Sequence, residues 1–171
     1  MNDDTAEIME PTLWRKNGWT ARVIKNEDDD GWAVEIRKDG QPLELTTTMA
    51  YKGMMLSGVP NMAFTVGYTN ASWTLKADLV SEFVCRVLDH MDSRGYDRVE
   101  PAQPESDIDE RPMLDFTPGY VLRALDRLPK AGSRAPWRLK QNYLWDLRLI
   151  RHGKVDDDAL RFSKHLAPVT V

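Results

Sequence analysis

The chain has 171 residues, 42% of them hydrophobic and 29% charged, with 23 basic against 27 acidic side chains and a formal charge of −4. That length sustains a buried core without disulfide staples. A lone cysteine, Cys85, supports neither an internal disulfide nor a multi-cysteine zinc centre, so Cys85 is expected in the core of a protein from a reducing compartment. No window approaches the roughly 18 apolar residues of a membrane span. Residues 1–10 carry four acids and no base, unlike a secretory or mitochondrial leader, and the expectation is a soluble, cytoplasmic protein with no membrane partner.

In chain order, residues 1–40 hold ten acids and six bases, which accounts for the whole net charge. Within them Trp19, Ala21 and Val23 alternate against Trp32, Val34 and Ile36, predicting a β-hairpin over 19–37 around the acidic turn 26–30. Asp39-Gly40 is a second turn signal, and Leu43 to Thr48, with three consecutive threonines, has strand propensity. A further strand is predicted over Met62–Val66, stopping at Gly67. Val80, Phe83, Val84, Val87, Leu88 and Met91 recur at helical spacing, predicting a helix over about 74–93 with Gly95 as its stop. The charged, proline-bearing stretch 96–115 reads as an extended surface linker. Thr117-Pro118 opens a second helix over 118–128 by an N-cap and a proline at the first helical position. A third is predicted over 137–152, with Leu139, Tyr143, Leu147 and Ile150 along one stripe and Gly153 as its stop. The fold class is therefore α+β: a small, mainly antiparallel sheet and three helices, divided as 1–38, 39–95, 96–115 and 116–171.

Much chemistry is excluded by spacing. No two of the ten glycines are separated by one residue, so the dinucleotide fingerprint, with glycines at i, i+2 and i+5, does not occur. Gly53 and Gly58 have Walker-like spacing, but Val59 stands where the phosphate-binding lysine belongs. His90, His152 and His165 form no metal or nucleophile motif, and the acidic run at 27–30 lacks the alternating ligands of a calcium loop, so no metal and no catalytic residue is assigned.

Two features carry signal. Met62 to Lys76 reads as strand, turn and helix, with Asn70, Ser72 and Thr74 crowding the helix start, where unpaired N–H groups and the positive dipole end suit an anion or electron-rich oxygen. The plain alternative is that Asn70 or Ser72 simply caps its own helix. The span Arg123–Lys154 holds nine bases and two acids, interleaved with Trp137, Tyr143 and Trp145. It suits a nucleic acid or, more plainly, a helix pair whose basic face meets an acidic partner surface or solvent.

Thr46 to Leu56, Pro60-Asn61, Gly67 to Leu79, Phe116 to Val121, Leu128 to Lys130, Pro136-Trp137 and Gln141 to Tyr143 together resemble the C-terminal part of Baeyer-Villiger-type flavin monooxygenases, in the ethionamide-activating branch. The resemblance runs over about 39–171 and leaves 1–38 unmatched. It implies FAD and NADPH as cofactors and oxygen insertion into ketones or sulfoxidation as the activity. It also implies that the helix start, at Asn70, Ala71, Ser72 and Trp73, meets the pyrimidine edge of the flavin. The basic segment would be a C-terminal extension folded back on the enzyme, which disfavours nucleic acid. Both glycine-rich fingerprints that such an enzyme needs are missing from this sequence. The chain is therefore expected to be a truncated or fused piece that neither binds FAD and NADPH usefully nor turns over alone. Its expected contacts are a flavoprotein chain, or a second copy through apolar surface around Met54, Met55, Leu56 and Trp73. The alternative is a non-enzymatic interaction module using the basic helices.

Overall fold

The computed structural model describes residues 12–25, 32–113 and 128–164 and divides after Glu44 into two units. In the first, β1 (Thr12–Lys16), β2 (Trp19–Lys25), β3 (Trp32–Lys38) and β4 (Gln41–Pro42) form an antiparallel meander in that order. Two two-residue turns set its geometry: Asn17-Gly18, at φ 53° and 80°, and Asp39-Gly40, at φ 49° and 82°. Left-handed backbone at both turn positions matches the twist of a tight hairpin. Pairing of Ala21 with Ile36 and Val23 with Val34 bears out the predicted hairpin, whose acidic turn lies outside the described residues. On the other face Arg22 stands opposite Glu35 and donates to it at 2.8 Å, and Arg37 does so at 2.6 Å. The Arg37 hydrogen bond, with Arg22 adding, holds the Glu35 carboxyl at about 2.

The expected strand at 43–48 is replaced by a 3-10 turn over Leu45–Thr47. Thr48 turns both its amide and its hydroxyl, at 2.9 and 2.7 Å, back to the Leu45 carbonyl. This local bonding outcompetes the β propensity of the threonines.

The second unit is built around one long helix. Strands β5 (Ala50–Tyr51) and β6 (Met55–Leu56) form a buried hairpin whose turn places Lys52 and Gly53 in left-handed backbone. Residues 62–66, expected as a strand, pair with none among the described residues. Phe64 N–H donates to the Met54 carbonyl at 2.8 Å, one bond rather than a ladder. Helix α1 spans Trp73–Arg94 as predicted, capped by Ser72 and ended by Gly95 at φ 64°. The amide of Tyr96 closes the last turn on the Met91 carbonyl at 2.9 Å. Leu79, Val80, Phe83, Val87 and Met91 are buried against Tyr51, Met54, Met55, Trp137, Ile150 and Leu160. Leu88 falls outside this stripe and is exposed, and Cys85, expected in the core, is exposed as well.

The stretch read as a linker carries β7 (Arg98–Pro101), which pairs antiparallel with β10 (Leu160–Ser163), and β8 (Glu110–Pro112), which pairs with β9 (Lys130–Gly132). Each partner lies far along the chain, where local pattern carries no signal. The predicted helix 118–128 lies outside the described residues save Leu128. The predicted helix 137–152 is shorter. Helix α2 starts only at Tyr143–Asp146, because Asn142 Oδ1 accepts from Trp145 N–H at 2.9 Å, and it widens into a π turn over Leu147–Arg151. Residues ahead of the cap serve the core instead: Trp137 is buried edge-on to Tyr51, centroids 5.8 Å apart. The described residues thus contain two helices rather than three. No helix among them is long and apolar enough to cross a membrane.

Candidate functional site

Residues Asn70, Ala71, Ser72 and Trp73 all lie exposed at the N-terminus of α1. Ser72 is in extended conformation, its hydroxyl accepting from Thr74 N–H at 3.4 Å while Leu75 N–H returns to the Ser72 carbonyl at 3.2 Å. Capping and display coexist, since a 22-residue helix still directs its positive end through this tip. Trp73 is 63% exposed, with its ring lying on Gly67, where a β carbon would fall 2.2 Å from the ring atoms. The loop ahead of the cap is tied to the C-terminal segment: Thr69 N–H donates to Gln141 Oε1 at 3.1 Å, and Asn70 Nδ2 to the Gln141 carbonyl at 3.0 Å.

Below this tip is a buried polar base that sequence reasoning did not assign. Lys76 Nζ lies 2.9 Å from Asp146 Oδ2, and the Tyr68 hydroxyl donates to the same oxygen at 2.7 Å. All three residues are buried, and the Lys76 ammonium also reaches the Lys52 carbonyl at 3.4 Å. Burial, then the bond to Asp146 and its charge, push the Tyr68 phenol well above its ordinary range. A usable signal existed in helical phase, because Lys76 continues the buried stripe of Leu79, Val80 and Phe83 at i, i+3, i+4 and i+7. One turn into α1, this pair anchors the exposed tip to α2 and to the β5–β6 turn.

A second buried group supports the same turn. Lys52 Nζ meets Asp157 Oδ2 at 3.0 Å and the Lys154 carbonyl at 3.0 Å, while the Tyr51 hydroxyl donates to Asp157 at 2.7 Å. Desolvation lowers the Lys52 ammonium against the opposing pull of Asp157, and raises the Tyr51 phenol. Met54, Met55 and Leu56, expected to be exposed, are buried in this region.

Several bases of the 123–154 span are engaged internally. Arg151 pairs with Glu82 and Asp78 of α1, and Arg134 with Asp107 and Glu105. Among the described residues no group of three His, Cys, Asp or Glu side chains offers a metal centre. The exposed helix start and its flanking indole fit the electron-rich edge of a planar cofactor. They do not form the paired-glycine cradle that a dinucleotide diphosphate needs, which the sequence lacks.

No protein-family model matches the chain, and no solved structure matches it. Curated proteins do. The chain is 71% identical over 133 residues to the FAD-containing monooxygenase EthA of Mycobacterium tuberculosis (strain CDC 1551 / Oshkosh), covering 78% of the chain and 27% of that protein. It is 44% identical over 127 residues to the probable FAD-binding monooxygenase AlmA of Acinetobacter baylyi, covering 74% and 26%. It is 39% identical over 126 residues to the putative FAD-containing monooxygenase MymA of Mycobacterium tuberculosis, covering 73% and 26%. The chain spans about a quarter of the length of these relatives.

Proposed function

The chain belongs, over 78% of its length, to the FAD-containing monooxygenases of the EthA type, and from that premise we propose that it is the C-terminal, flavin-edge portion of a Baeyer-Villiger-type enzyme. The whole enzyme uses FAD and NADPH in the cytoplasm to insert oxygen into ketones or to oxidise sulfur. Bound FAD supplies the oxygen-activating chemistry. This chain contributes the amides and dipole of the α1 start at Asn70–Trp73, which bind the electron-rich pyrimidine edge. Gln141 holds that loop in place, the Lys76–Asp146 pair fixes the angle of α1, and the Trp73 ring flanks the site. The observation that carries this reading is the exposed α1 tip standing on a buried ionic base. Without the glycine cradle for the diphosphate, the 171 residues alone neither retain FAD nor oxidise NADPH. The internal pairing of Arg134 and Arg151 supports an extension folded on its own enzyme rather than a nucleic-acid surface.

A chimaera tests the assignment, with residues 45–164 replacing the matching stretch of the 71%-identical relative. The expected product retains flavin, and Trp73→Ala within it perturbs the flavin absorption spectrum. A folded, flavin-loaded chimaera whose spectrum is indifferent to Asn70→Ala and Trp73→Ala overturns the placement of the flavin edge.

A further inference from the structure

Beside the α1 tip, a groove of about 610 Å³ runs between the β8–β9 ladder and residues 138–141. Among the described residues its charged lining is cationic: Arg111 on β8, Arg138 and Lys140. Among the described residues none of the three is in an ion pair. Arg111 and Arg138 are exposed, and the Lys140 ammonium sits 3.8 Å over the Trp145 ring, a contact that holds it without neutralising it. Thr69 and Gln141 complete the polar wall. Gln141 Oε1 is taken by the Thr69 amide, so the Nε2 hydrogens remain as donors. The neighbouring cavity of about 400 Å³ is different in kind, because Glu105, Asp157 and Asp158 balance its Arg134 and Arg161.

Three cations without an acidic partner among the described residues, on one concave wall of a chain with net charge −4, are a local concentration of positive potential. Two guanidinium forks and an ammonium match a tetrahedral oxyanion carrying more than one charge better than a single carboxylate. We propose that this groove binds a phosphate-bearing anion, through Arg111, Arg138 and Lys140. The inference is independent of the flavin-edge reading, because the isolated chain can bind phosphate here and still fail to retain FAD.

Titration calorimetry of the full chain at low ionic strength, with inorganic pyrophosphate and separately with ADP, tests it. Saturable binding is expected, weakened by raising salt to about 0.15 M. Arg111→Ala and Arg138→Ala are each expected to lower affinity about tenfold. Both residues are exposed and in no ion pair among the described residues, so circular dichroism is expected to show unchanged melting. Equal binding of the two probes assigns a free phosphate, whereas tighter ADP binding that still requires both arginines assigns a nucleotide. Absence of saturable binding by either probe, or unchanged affinity in the Arg111→Ala/Arg138→Ala double variant, overturns the proposal.

Discussion

Replacing Asp146 by alanine removes the carboxylate that both the Lys76 ammonium and the Tyr68 hydroxyl use. Their side chains lie in a region where Lys76 and Asp146 are each only 5% exposed, so water cannot substitute for the lost acceptor without opening the packing around α1. Breaking a buried pair from one side costs about 3–5 kcal/mol, and the orphaned hydroxyl contributes to that loss rather than adding a separate term. Replacing both charges, as Lys76→Met/Asp146→Leu, removes the uncompensated ammonium but still orphans the buried Tyr68 hydroxyl, so the expected cost is about 1–3 kcal/mol. With the singles Lys76→Met and Asp146→Leu, each expected to cost about 3–5 kcal/mol, the closed cycle is expected to give a coupling of about 3 kcal/mol or more between the positions. Urea unfolding followed by ellipticity at a helical wavelength measures this in the relevant unit, because both helices of the described residues lie beyond Glu44. An Asp146→Ala cost below about 1 kcal/mol, or a double variant as unstable as the sum of the singles, would refute a dry ionic anchor beneath the α1 tip.

Alkaline titration of phenolate absorbance should leave Tyr51 and Tyr68 protonated at pH values near 10.0 and above that ionise an ordinary tyrosine, until the protein unfolds. Because both folded values are raised, their stabilising effect is complete below pH 10 and is lost as pH rises above it; ionisation of all tyrosines as one class in the native protein would contradict the burial. Gly67→Ala should displace the exposed Trp73 ring from its seat and shift its fluorescence while changing the melting temperature little, since the ring has solvent to move into. For Glu35, proton titration by nuclear magnetic resonance should give a value near 2, and the hairpin unit should lose stability as pH falls from the ordinary 4.5 toward that value, an effect absent in Glu35→Gln.

The helix that bears the site was readable because its determinants are local: Ser72 caps it, Gly95 ends it in left-handed backbone, and the buried stripe between them keeps strict phase. The hairpin of 19–37 was readable from alternation for the same reason. Asn17-Gly18 was an equally strong turn signal, and it joins β1 to β2, yet the strand before it was not recognised. Elements that depend on distant partners left no local trace: β7 waits for β10 some sixty residues on, and its proline and charges imitate a linker. Conversely, 62–66 has strand composition without a partner strand among the described residues. At the site, Asn70 to Trp73 could be placed from the crowding of capping residues. Lys76 and Asp146 could not, because a charged side chain is ordinarily read as solvated, and only their pairing in three dimensions offsets the cost of burial. Cys85 shows the reverse error, since being small and apolar does not decide helical phase.

The proposed role, a flavin edge without the means to hold the dinucleotide, is decided by equilibrium titration of the purified 171-residue protein with FAD. No stoichiometric retention of flavin and no shift of its visible spectrum are expected. Isolation of the chain with one tightly bound FAD would contradict it.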